Sequence, residues 1–147
     1  NIPMQRQAII DTLKARLKRI TRAAGYDWEP NAFEWLVTPL AEHDLPAIVV
    51  KDTEDDIAHD RVGGSSEHTL KIEVEIYASD EHSTAESLRK KVSDVLRVVG
   101  APAGDGEYLG EYQSVEGVEM WIEQNESVVG AARIVLSVKY YTRNWEM

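Results

Sequence analysis

The stretch from Ala131 to Tyr141 constrains the fold of this chain more than any other. Ile134, Leu136, Val138 and Tyr140 alternate along it. Successive side chains of an extended segment point to opposite sides, so these four share one face. Val135 and Tyr141 make the other face partly apolar, with Ser137 and Lys139 between them. A strand apolar on one side and mixed on the other belongs inside a sheet rather than at its edge. The polar-aromatic tail from Tyr140 to Met147, in which the strand ends, is too short for a further element.

Three partners for that strand can be read. Leu70, Ile72, Val74 and Ile76 alternate with Lys71, Glu73, Glu75 and Tyr77, which predicts a half-buried strand over 69–77. Ala-Ile-Val-Val-Lys at 47–51 is β-branched and reads as a short strand. These two are expected to pair as an antiparallel hairpin. Between them stand Asp52, Glu54, Asp55, Asp56, His59 and Asp60, followed by Gly63-Gly64-Ser65-Ser66. That composition predicts a long, acidic, mobile loop over 52–66. Val118, Met120 and Ile122 alternate with Glu119, Trp121 and Glu123, giving another strand, and Gln124-Asn125-Glu126 turns into the last one.

Two helices complete the pattern. Ile9, Ile10, Leu13, Leu17, Ile20 and Ala24 recur at helical spacing, with Gly25 as a stop and Pro3 tolerable in the first turn, so a helix is expected over 4–24. Lys14, Lys18 and Arg22, four apart, form a separate basic stripe. Ser83 and Glu86 have the spacing of a capping box. The apolar positions Ala85, Leu88, Val92, Val95, Leu96 and Val99 follow, and Gly100 and Pro102 end a second helix over 84–99. Ala101 to Gly110 reads as a loop. Between 26 and 46, Tyr26, Trp28, Phe33 and Trp35 are crowded among Pro30, Pro39 and Pro46. Prolines forbid a long element there. The segment is expected to be a folded-back loop, with a short helical turn from Pro30 through Leu36. Its aromatics either cover the sheet and first helix or, as with Trp28 and Trp35, anchor a partner.

The order is α-β-β-α-β-β. It predicts one α+β domain over 1–147, a four-stranded, mainly antiparallel sheet packed against two helices. The length, 147 residues, suits a single domain. With no cysteine, disulfides and thiolate chemistry are excluded. No apolar run is long enough to span a bilayer, and no signal-peptide pattern opens the sequence.

The net charge of −10 argues against general nucleic-acid binding. It is unevenly spread: residues 1–24 carry six cations against Asp11, a balance of +5 that leaves −15 for the rest. A basic first helix on an acidic body points to contact with another copy or a partner. Lys14, Lys18, Arg22, Asp52, Glu54, Asp55, Asp56, Trp28 and Trp35 are the candidate interface residues.

No catalytic, cofactor or metal site emerges. His43, His59, His68 and His82 stand outside any HExxH frame. The acidic run at 52–60 lacks the spacing of an EF-hand. Gly63-Gly64-Ser65-Ser66 lacks the lysine of a P-loop. Glu73 and Glu75 share a strand face with Lys71, but nothing else completes a nuclease-like centre.

The succession of the basic first helix, Leu45-Pro46-Ala47-Ile48-Val49-Val50, the acidic insertion, His68 to Tyr77, the helix Ala85–Val99 and the closing Val135 to Thr142 resembles the tail terminator (tail completion, minor tail protein U-like) proteins of long-tailed bacteriophages. The resemblance spans nearly the whole chain except 26–44. It implies a structural virion protein rather than an enzyme: a homohexameric ring that caps the tail tube beside the head, stops tube polymerisation and presents the head-docking surface. The implied partners are further copies of the chain, the tail-tube protein and the head-tail connector. DNA would pass through the channel without specific binding, and no cofactor is involved. The alternatives are another neck or head-tail connector protein, and a non-viral α+β binding module.

Overall fold

The computed structural model describes residues 4–36, 38–79, 84–124 and 128–147. Its elements are α1 (Gln5–Leu17), β1 (Asn31–Glu34), a 3-10 turn at Glu42–Asp44, β2 (Ala47–His59), β3 (Ser65–Ser79), α2 (Thr84–Val99), β4 (Tyr112–Gln124) and β5 (Val128–Arg143). The α+β class and the second helix agree with the sequence reading. The final strand lies inside the sheet, as its two-sided apolar pattern requires, between β3 and β4. Pro3, His82, Ser83 with its capping role, and the turn at Asn125-Glu126 lie outside the described residues.

The sheet has five strands, not four, in the order β1-β2-β3-β5-β4. The extra strand is β1, which pairs in parallel with β2, Asn31 opposite Ala47 through Glu34 opposite Val50. It replaces the expected loop and helical turn. The cause is tertiary: Ala47 to Val50 are fully buried, and an unpaired edge on such a strand would leave polar backbone without partners. The Asn31 N–H donates to the Pro46 carbonyl at 2.9 Å and the Trp35 N–H to the Val50 carbonyl at 3.0 Å, which closes that edge.

The long acidic loop is also corrected. β2 runs on to His59 and β3 begins at Ser65, so the acidic residues are paired strand and only 60–64 turn. Backbone pairing is indifferent to side-chain charge where the side chains find solvent or a cation. The Asp60 N–H bonds the Ser65 carbonyl at 2.8 Å, the Asp60 carboxylate accepts from the Val62 N–H at 3.0 Å, and Gly64 takes φ +70°.

α1 is shorter than expected, ending at Leu17 rather than Ala24. Beyond it the chain tightens into turns, with Ile20 N–H bonded to the Leu17 carbonyl and the Thr21 hydroxyl accepting from the Ala24 N–H. A side-chain acceptor of this kind competes with the helical ladder. Ile20 stays buried, so the apolar stripe outlives the helix.

Both helices lie on one face of the sheet. α1 packs on β1, β2 and α2, while α2 packs on β5 and β3. The core between the layers joins Ile9, Leu13 and Leu17 of α1, and Leu88 and Val95 of α2, to Val50, Ile72, Val74, Ile134 and Leu136. β4 is left over. Its helix-side residues Val115, Val118, Met120 and Ile122 remain 51, 42, 38 and 44% exposed. The alternation at 118–122 therefore forms a strand as predicted, but no helix among the described residues covers its apolar side.

Candidate assembly surfaces

The nine candidate interface residues separate into buried and open groups. Trp28 is overturned as an anchor: it is 4% exposed, its Nε1–H donates to Asp94 Oδ2 at 2.9 Å, and Lys91 Nζ stands 5.6 Å above the ring. It fixes the chain after α1 against α2. Trp35 is the opposite, 48% exposed at φ +44°, with its Nε1–H donating to Asp52 Oδ1 at 2.8 Å.

The acidic residues of β2 divide by face. A β-bulge between Asp52 and Glu54 shifts the alternation, so Asp52, opposite Ile72, and Asp55, opposite Leu70, both face the helices. Glu54 and Asp56 face the other way and are exposed. Arg6 of α1 bridges the inward pair, its Nε 2.7 Å from Asp52 Oδ2 and its Nη1 3.6 Å from Asp55 Oδ2. Burial works to raise the Asp52 carboxyl, but the hydrogen bonds from Trp35 and Arg6 outweigh it and hold the group below its ordinary value.

Asp55 also accepts from the Tyr140 hydroxyl at 2.6 Å and faces His68 Nδ1 at 3.1 Å. The His68 ring is wholly buried and stacked on Tyr140, with its Nε2 2.8 Å from Thr142 Oγ1. Asp, His and a hydroxyl thus stand in the order of a hydrolase triad. The Thr142 hydroxyl, however, donates to the Arg143 carbonyl at 2.8 Å, and it is buried. The cluster ties the ends of the chain together: the Arg6 N–H also bonds the Met147 carbonyl at 3.3 Å. Nearby, Ser66 Oγ and Asn144 Oδ1 both meet His59 at the same ring nitrogen, Nδ1. That arrangement locks the hairpin to the tail but does not relay a proton through the imidazole.

On the sheet face away from the helices, Glu75 is 2% exposed, with Lys51 Nζ at 2.6 Å and Arg133 Nη2 at 3.0 Å. Burial pushes its carboxyl up, and hydrogen bonds from Lys51 and Arg133 bring it below the ordinary value. Arg133 continues to Glu73 and Glu119 and lies over the Trp121 ring. The Glu73 and Glu75 pair is therefore neutralised by cations on neighbouring strands.

The basic candidates diverge too. Lys14 pairs with Glu34 at 3.0 Å. Lys18 caps the C-terminus of α1, and Arg22 lies past the helix end, so the three do not form one helical stripe. Lys18 and Arg22 are exposed and have no ion-pair partner among the described residues. The sequence did not single out the open row on β4, because alternation shows which residues share a face but not whether anything covers it. No protein-family model matches the chain, and no curated protein matches it.

Proposed function

We propose that this chain is a ring-forming structural protein of phage tails, a tail terminator that caps the tube beside the head and offers the docking surface for the connector. The observation that carries this reading is the row Val115, Val118, Met120 and Ile122, open to solvent on a long edge strand. Contiguous exposed apolar surface of this kind marks an interaction site. Lys18 and Arg22, without an ion-pair partner among the described residues on an otherwise acidic chain, add a second unfinished surface. The order of elements along the sequence resembles the terminators outside 26–44, the segment that holds β1. In this reading further copies complete a six-membered virion ring, the tail tube and the head-tail connector bind its two ends, and DNA crosses an acidic channel that does not hold it.

A small-molecule binding module finds less support. The clefts beside Trp28, beside Trp145 and between α2 and β4 hold about 360, 330 and 240 Å³, at the low end of the ~300–1,000 Å³ usual for ligand sites. Negative-stain electron microscopy of the purified protein, alone and with tail-tube polymers, tests the proposal. Six-fold rings or caps on tube ends are the expected result. A protein that remains monomeric and ignores tubes would overturn it.

A further inference from the structure

We infer that the outward face of α1 from a second copy covers the open row of β4, joining copies head to tail. The closure of such contacts into a ring rests on the reading above. The contact itself is argued from three features of the fold.

The first is the shape of what needs covering. The row lies on the helix side of the sheet, beside α2, where a further helix would continue the layer that α1 and α2 begin. Addition of a strand along β4 is disfavoured. A β-bulge between Val115 and Gly117 interrupts the strand, and Glu116 and Glu119 place charge on it.

The second is charge. From Glu111 through Gln124 the chain has no cation, and of its four glutamates Glu119 lies on the far face of the sheet, paired with Arg133. Glu111 and Glu116 have no ion-pair partner among the described residues. Asp11 and Ala15 of α1 and the capping Lys18 are exposed at helical spacing, with Arg22 in the turns beyond. Ala15 leaves that face flat, and lysine stems can lie along apolar surface while their ammonium groups reach carboxylates.

The third is polarity. α1 lies over β1 and β2 at one side of the sheet, and β4 forms the other edge. One copy can therefore use both surfaces at once. Two β4 rows facing each other would set glutamate against glutamate, whereas the head-to-tail contact matches cation with carboxylate, and contacts of that type can close into rings.

The chain has no cysteine, so single cysteines report cleanly. Ala15→Cys and Met120→Cys, prepared separately and assembled together, are treated with a flexible bis-maleimide. Cross-linked dimers in the mixture and in neither variant alone are the expected result. Cross-linking of M120C with itself would overturn the proposal in favour of a two-fold contact. Wild-type rings with no cross-link in the mixture would sink this contact and leave the ring reading standing. A wild-type protein that never associates would sink both. In parallel, the pair Val118→Glu and Met120→Glu, both at exposed positions, should weaken association at least tenfold while leaving the far-ultraviolet spectrum and Tm unchanged. Undiminished assembly would overturn the proposal.

Discussion

Arg16 follows Leu13 by three residues and Ile9 by seven, so helical geometry puts it in the apolar stripe of α1, and it is as buried as they are. What makes this tolerable is the end of α2. Arg16 Nη1 donates to the Val99 carbonyl at 2.7 Å and the Ala101 carbonyl at 2.6 Å, while Nε meets Glu107 Oε2 at 2.9 Å. A cation is favoured at the negative end of a helix, where carbonyls lack intrahelical partners. Nη2 has no partner among the described residues, so the site is imperfectly satisfied. Arg16→Met should still cost about 2–4 kcal/mol, because the Val99 and Ala101 carbonyls lose their donor, while Glu107 keeps Arg19 and the Gly104 N–H. Urea unfolding measures this, and a loss under about 1 kcal/mol would show that the arginine is replaceable by apolar volume.

Glu107 carries a pH signature of the same cluster. The Gly104 N–H and then Arg16 hold its carboxyl down to about 2, from an ordinary 4.5. A carboxyl lowered on folding contributes stability that is fully present above about 4.5 and is lost as the pH falls through about 2. Glu107→Gln should therefore lower stability at neutral pH and flatten its decline between those two values. Parallel pH curves for the variant and wild type would contradict the assignment.

At the scale of elements, the sequence displayed what depends on nearest neighbours along the chain and hid what depends on neighbours in space. α2 was legible over its whole length because its apolar stripe and its stop are both local. β1 was not, since Asn31–Glu34 extends only because the buried edge of Ala47 to Val50 must be closed. Simple alternation in β2 would put Asp52, Glu54 and Asp56 on one side. The bulge turns Asp52 and Asp55 to the same side, and nothing in the acidic run announces it. Arg16 enters the sequence reading only among the cations of the first helix, although its spacing from Ile9 and Leu13 puts it on the buried face. Trp28 was not readable, because its indole partner Asp94 is 66 residues away.

The loop before β4 shows the same dependence on distant backbone. Gly110 has φ +70°, and a Cβ there would run into the Lys139 carbonyl oxygen and meet Val138 Cγ1 at 2.8 Å. Glu111 N–H bonds that same carbonyl at 2.7 Å, so the loop cannot retreat without losing it. Gly110→Ala combines left-handed strain of about 1–3 kcal/mol with overpacking of similar size. A loss of at least about 2 kcal/mol is expected in thermal or urea unfolding. A neutral substitution would mean the loop can lift off β5.

For the whole molecule, the two unfinished surfaces differ in kind, which gives association a distinct response to salt. The β4 row is apolar, while the end of α1 offers charge to an acidic neighbour. Charge contacts at an exposed rim are screened as the Debye length shrinks from about 10 Å at 0.1 M to about 3 Å at 1 M ionic strength. Apolar burial is not screened, and sulfate strengthens it. If both surfaces meet in one contact, raising sodium chloride over that range should shift the association midpoint to several-fold higher protein concentration without abolishing association. Sodium sulfate at matched ionic strength should shift it less. Sedimentation velocity resolves the two series. Association that sodium chloride leaves untouched would remove the basic end of α1 from the contact. Complete loss in sodium chloride with no recovery in sulfate would remove the β4 row instead, because an apolar shelf that carried the contact would hold copies together after the charges were screened.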